Sequence, residues 1–154
     1  MVNKGVDVVS GWGSLWRLMR VKDIMTSNPL TVTVDSPVAD AVRIMRERSI
    51  RHLPVLDNGH LAGIITDRDL RWLLGQNLGG GERGSALELA GPVGEVMSSQ
   101  PVTVSEHDSV LKAVDLMVER RFGGMPVLNA QEKLVGIVTY VDVLRACREL
   151  LRNA

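Results

Sequence analysis

VKDIMTSNPLTVTVDSPVADAVRIMRERSI, residues 21–50, runs on into RHLPVLDNGHLAGIITDRDL, residues 51–70. The chain then repeats itself. VGEVMSSQPVTVSEHDSVLKAVDLMVERRF occupies residues 93–122, followed by GGMPVLNAQEKLVGIVTYVDVL at 123–144. The offset is 72 residues up to the Pro-Val-Leu triplet and 73 after one extra residue in the next turn. About twenty of some fifty-four aligned positions are identical, including Met25/Met97, Pro29/Pro101, Met45/Met117, Pro54/Pro126, Gly63/Gly136, Thr66/Thr139 and Asp69/Asp142. That is far above chance, so both halves are expected to share one fold.

Each half reads as strand, helix, strand, strand, helix, which makes the fold class α+β. Thr31–Val34 and Val102–Val104 are short β-prone segments after a proline. Asp35-Ser36-Pro37 and Asp108-Ser109 read as helix starts, with a Ser or Asp cap and Pro37 in the first turn. Val38, Ala41, Val42 and Met45 then fall at i, i+3, i+4 and i+7, and Val110, Ala113, Val114 and Met117 repeat that spacing. Both methionines are expected in the core rather than on a binding surface. Asn58-Gly59 marks a tight hairpin between Leu53–Leu56 and Leu61–Ile65, and a longer turn at Asn129–Lys133 serves the second half. A second helix follows from about Asp67 and from about Tyr140. A three-stranded sheet with two helices cannot bury its apolar face alone, so the two copies are expected to pack sheet against sheet.

Outside the repeats, residues 75–92 hold six glycines and read as a linker, with a helical turn near Ser85–Leu89. The G-x-x-x-x-G-K-[ST] phosphate loop is absent from it. Residues 1–20 form an arm in which Trp12, Leu15, Trp16 and Met19 fall at helical spacing. A short helix on its own domain or on a second subunit is expected, with a membrane-surface or partner-binding helix as the alternative. Residues 148–154 are expected to end the last helix. The 154 residues carry 18 basic and 18 acidic side chains, so no overall positive field recruits nucleic acid or anionic lipid. Any anion site must be local. A single cysteine, Cys147, permits no intramolecular disulfide, and no apolar run has the length of a membrane span. The expected location is cytoplasmic, with no membrane span.

The stretch with chemistry in it is G-I-I-T-D-R-D at 63–69, echoed by G-I-V-T-Y-V-D at 136–142. In each, a strand runs into the N-terminus of a helix, where unpaired N–H groups and the dipole favour anions. The Asp three residues after the Thr can accept two hydrogen bonds from a vicinal diol, as a ribose offers. T-x-x-D is also close to a helix capping box, in which the carboxylate merely returns a bond to the cap. His52, His60 and His107 do not cluster in sequence, and neither H-E-x-x-H nor C-x-x-C occurs. No nucleophile–base–acid set can be argued, and no enzyme, metal or required cofactor is expected.

M-T/S-x-x-P at 25–29 and 97–101, x-P-V-L at 53–56 and 125–128, and the two G-I-x-T-x-x-D stretches together resemble the tandem cystathionine-β-synthase (CBS) domain. The resemblance covers about residues 21–147, with repeats at 21–74 and 93–147. It implies a pseudo-symmetric pair, often dimeric, whose clefts bind adenosine compounds in some members and nothing in others. It further implies that each cleft is shared between the repeats. One cleft would use Ile137, Thr139 and Asp142 with Leu30, Thr31, Ile50, Arg51, His52 and Pro54. The other would use Ile64, Thr66 and Asp69 with Val102, Thr103, Phe122, Gly123, Gly124 and Pro126. Arg51, His52 and Arg68 are expected to make the Asp142 cleft the more basic, while Gly123 and Gly124 bring no charge to the other. The resulting expectation is a homodimeric regulatory or sensor module that binds an adenine nucleotide (AMP, ADP or ATP) and acts on an unidentified protein target. A ligand-free protein–protein interaction module is the alternative.

Overall fold

The computed structural model describes residues 18–75 and 89–152. The expected arm helix around Trp12, Leu15 and Trp16 and the linker turn starting at Ser85 lie outside the described residues. The elements are α1 (Val21–Ile24), β1 (Thr26–Ser27), β2 (Val32–Thr33), α2 (Val38–Arg48), β3 (His52–Asp57), β4 (His60–Thr66) and α3 (Asp67–Gly75), then a 3-10 turn at Val93–Glu95. The second half continues with β5 (Ser98–Ser99), β6 (Val104–Ser105), α4 (Val110–Arg120), β7 (Gly124–Leu128), β8 (Leu134–Thr139) and α5 (Tyr140–Arg152).

The strand–helix–strand–strand–helix order is present twice, with one addition. Each sheet has four strands, ordered β2-β3-β4-β5 and β1-β8-β7-β6. Their outermost members are exchanged. Thr26 and Ser27 of β1 pair antiparallel with Ile137 and Gly136, while Ser98 and Ser99 of β5 pair with Ile64 and Gly63. The exchange begins upstream of these strands. Val21 and Lys22 donate to the carbonyls of Asp108 and Glu106 in the second half. Val93 and Gly94 donate to those of Ser36 and Val34 in the first. Sequence halves and spatial halves are therefore out of register by about one short segment. Two exposed polar residues per strand carry no alternation that a sequence pattern could register.

Two apolar clusters result. Val38, Ala41 and Met45 of α2 pack on Leu53, Val55 and Ile65 together with Val93, which comes from the second half. Ala113 and Met117 of α4 pack on Met125, Val127 and Val138 together with Val21, which comes from the first. Burial of Met45 and Met117 places both in the core, as their spacing predicts. Pro54, Ile64, Pro126 and Ile137 are also buried but belong to neither cluster. Strand alternation turns them to the opposite sheet face, where the two halves meet. The Asn58-Gly59 turn has positive φ at both positions, 48° and 81°, as a tight hairpin requires. One capping expectation is revised. Ser109 caps α4 by accepting from the Lys112 N–H, but the matching position of α2 is Pro37. Ser36 instead accepts from the Thr33 N–H at 3.0 Å, and Pro37, with ψ at 142°, takes the cap position with no side chain to accept a bond.

Gly63 and Gly136 leave room for the exchange. A Cβ at Gly63 would collide with the Met97 sulfur and lie 2.9 Å from the Ser98 carbonyl oxygen. A Cβ at Gly136 would collide with the Met25 sulfur but meets no backbone atom among its nearest neighbours. A methionine side chain can swing aside, whereas a paired strand cannot. Gly63→Ala should thus cost about 1–3 kcal/mol in urea unfolding, and Gly136→Ala clearly less. Equal losses would contradict this account of the exchange.

Candidate functional site

Each exchange leaves a cleft where β8 or β4 runs out into its helix. The cleft at Asp142 has a volume of about 470 Å³, and that at Asp69 about 430 Å³. Both fall within the usual range for small-molecule sites. Leu30, Ile50, Arg51, His52, Ile137, Thr139 and Asp142 line the first. Ile64, Thr66, Asp69, Val102, Phe122, Gly123, Gly124 and Pro126 line the second. Of the other residues named from sequence, Pro54 is fully buried beneath the surface, and Thr31 and Thr103 are half-buried outside the lining.

Arg68 lines the Asp69 cleft, not the Asp142 cleft. It sits in the first turn of α3, one residue before Asp69, and so stays with its own helix terminus. The expected charge asymmetry is thereby reversed. The Asp69 cleft gathers Arg51, Arg68, Arg71 and Arg121, with Asp67 and Asp69. Arg71 is held by Asp67 at 2.9 Å. Arg51, Arg68 and Arg121 form no ion pair among the described residues. The Asp142 cleft has Arg51 and Arg145, and the latter already stands 3.6 Å from Asp142 Oδ1.

The two aspartates use their oxygens differently. Asp69 Oδ2 accepts from the Thr66 N–H at 2.8 Å and from the Thr66 hydroxyl at 2.7 Å. Asp142 Oδ2 accepts the same two bonds from Thr139 at the same distances. The capping box is complete in the first half, where the Asp69 N–H also donates to the Thr66 hydroxyl at 3.3 Å, and only the carboxylate's side of it is made in the second; in both halves it occupies a single oxygen. Oδ1 remains available: without a partner among the described residues in Asp69, and facing only the exposed Arg145 in Asp142. Capping and diol recognition are therefore compatible, and the cap fixes the carboxylate orientation beforehand.

Several lining residues went unnamed in the sequence reading. Asn28 lines the first cleft and Gln100 the second, each just before a proline and each with φ near 50°. That backbone is strained for a non-glycine residue, and the more so before proline. It reverses the chain after β1 and β5 and brings Leu30 and Val102 over the clefts. The M-T/S-x-x-P motif contains both positions, so the signal was present but attached to the proline alone. Tyr140, whose N–H donates to the Gly123 carbonyl at 3.0 Å, lines both clefts.

Arg51 and His52 also line both clefts. Their counterparts in the second repeat are Gly123 and Gly124. A Cβ on Gly123 would lie 3.2 Å from His52 Nε2, and one on Gly124 3.3 Å from His52 Cδ2. The imidazole therefore rests on bare backbone, at a place where only one of two equivalent positions can bear a bulky side chain. Burial lowers the His52 pKa below its ordinary value; nearby Asp67 and Asp69 oppose this and Arg51 adds to it.

A family model described as "CBS domain" matches residues 21–75 and 93–149. The chain belongs to the CBS domain family. It is 38% identical over 130 residues to a CBS domain-containing protein of Dictyostelium discoideum, covering 80% of this chain and 88% of that one. It spans only 46% and 23% of two longer archaeal relatives, an uncharacterized Methanocaldococcus jannaschii protein and a Methanosphaera stadtmanae homoserine O-acetyltransferase. Among solved structures, CBSX2 in complex with AMP is 30% identical with a TM-score of 0.72, over 85% of this chain and 97% of that one. The CBS domain pair of MJ0100, in complex with 5′-methylthioadenosine and S-adenosyl-L-methionine, matches at 30% identity with a TM-score of 0.73, over 85% and 97%. No helix among the described residues is long and apolar enough to cross a membrane.

The depressed pKa of His52 has a thermodynamic consequence. The unfolded chain takes up the proton more readily than the folded one, so above pH 6.5 His52 is neutral in both states and costs nothing, and it penalises folding as pH falls below that value. The melting temperature of the wild type should drop between pH 7.5 and pH 5.5 by more than that of His52→Gln. Parallel curves would contradict a buried, neutral His52.

Proposed function

We propose that this CBS pair is a regulatory module whose clefts bind an adenosine-containing ligand, with AMP, ADP or ATP the fitting class, and that it is not an enzyme. The observation that carries the reading is the pre-oriented aspartate in each cleft. Its Oδ2 is held by the Thr cap and its Oδ1 accepts no hydrogen bond among the described residues, and the aspartate lines its cleft at a helix N-terminus together with Arg51. The carboxylate takes the ribose hydroxyls. Apolar walls at Leu30, Ile50 and Ile137, or at Val102, Phe122 and Ile64, take the base. Arg51, Arg68 and Arg121 take phosphate. The bound relatives support the adenosine class: CBSX2 holds AMP, and MJ0100 holds 5′-methylthioadenosine with S-adenosyl-L-methionine. Ligand occupancy would shift the two halves, or two subunits, relative to one another, and a cytoplasmic partner protein would read that shift.

A ligand should raise the melting temperature by mass action, by roughly 5–10 °C at a hundred times its dissociation constant. Across AMP, ADP, ATP, S-adenosylmethionine and NAD, at least one compound is expected to do so. AMP should exceed adenosine by about 0.5–1.5 kcal/mol per guanidinium engaged, less at high salt. Asp69→Ala and Asp142→Ala should each remove one site, at a loss of about 2–3 kcal/mol in calorimetry. Silence across the panel would favour the ligand-free interaction module.

The same reading includes a homodimer. Among the apolar residues of the helices, Leu70 is buried, and Leu73 and Leu116 pack on the two clusters. Leu111 and Val118 on α4 are exposed, and they are joined by Val141, Leu144 and Leu151 on α5 and Trp72 on α3. A second copy of the chain would cover such a face. Light scattering at micromolar concentration should give twice the chain mass. The mass of a single chain would refute the dimer.

A further inference from the structure

We infer that the two clefts are anti-cooperative toward anionic ligands, because a single Arg51 side chain serves both. This rests on the proposed nucleotide reading and goes beyond it. Arg51 and His52 line both cavities. A symmetric pair would supply each cleft with its own copy of the segment before the third strand. Here the second repeat offers Gly123 and Gly124 instead, and the His52 ring fills the space above them. A second arginine–histidine set has no room, so the first is shared.

Arg51 forms no ion pair among the described residues, and its backbone carbonyl is fixed by the Asp67 N–H at 3.0 Å. Its anchor is therefore rigid while its guanidinium is uncommitted. The first phosphate to arrive in either cleft takes that guanidinium. The second phosphate then finds that cation already neutralised. The Asp69 cleft, with Arg68 and Arg121 of its own, is the less dependent on Arg51 and should fill first. Coupling between sites is reciprocal, so filling either one weakens the other by the same factor. An uncharged adenosine does not compete for Arg51 and should show no such effect.

The test is calorimetric titration of the full chain with AMP and with adenosine. Leu30 and Val102 are exposed at 45% and 40% and line opposite clefts, so a tryptophan at either can fill one cleft without entering the core. Leu30→Trp should leave the Asp69 cleft, Val102→Trp the Asp142 cleft, each taking one AMP per chain. The wild type should bind its second AMP about tenfold more weakly than Val102→Trp binds its only one. That gap should close to within about twofold for adenosine, and for AMP in an Arg51→Gln background. A wild-type AMP isotherm equal to the sum of the two single-cleft isotherms overturns the coupling while leaving the nucleotide reading intact. A gap that persists with adenosine or in Arg51→Gln overturns the role of the shared guanidinium. Absence of any AMP or adenosine binding by the wild type removes the nucleotide reading, and the coupling falls with it.

Discussion

The reciprocal exchange of the first short segment of each repeat is the constraint from which the rest of the molecule follows. Val21 is buried in the second half and Val93 in the first, each with no exposed surface. Between them, the backbone bonds at 19–22 and 91–94 and the strands β1 and β5 tie each half to the other by its own main chain. Methionine packs over glycine at both joints, Met25 on Gly136 and Met97 on Gly63. Neither half can therefore complete its sheet or its core alone. Edge strands that would otherwise invite association are covered from within the chain.

The clefts are a direct product of that exchange. Because β1 lies beside β8, the chain leaving β1 through Asn28 and Pro29 passes over the point where β8 gives way to α5. Asp142 thus meets residues from the other repeat. The same holds for β5, β4 and Asp69. Duplication provides two such places, and substitution at the centre makes them unequal. His52 occupies the space above Gly124 that two equivalent side chains cannot share. Guanidinium groups then accumulate on the Asp69 side, while the Asp142 side keeps a carboxylate that is almost fully buried, at 6% exposure, with one exposed partner in Arg145.

Most of the fold was legible in the sequence, because duplication turns weak signals into strong ones. The 3.6-residue stripe of α2 and α4, a polar turn after the Pro-Val-Leu triplet and the strand-to-helix junctions each appear twice in the same order. The exchanged strands were not legible. Thr26–Ser27 and Ser98–Ser99 are two residues long, polar and exposed, and their partners lie about 110 and 35 residues away along the chain. The site was legible in its membership more than in its grouping. Asp69, Asp142 and both threonines follow from the motif. Arg68 was assigned to the wrong cleft, although it adjoins Asp69 in sequence and stays at that helix terminus. The capping box and the diol acceptor looked like rivals in the sequence. Only the geometry separates them, since Oδ2 is used and Oδ1 is left.

That division of labour within one carboxylate is the central claim, and it has a direct test in a crystal structure of the chain grown with AMP. The account predicts the ribose hydroxyls within hydrogen-bonding distance of Oδ1 of Asp69 or Asp142, with the Thr66 or Thr139 bonds to Oδ2 retained and the phosphate turned toward Arg51. AMP seated outside both clefts, or bound in one with the aspartate rotated off its threonine cap, would contradict it.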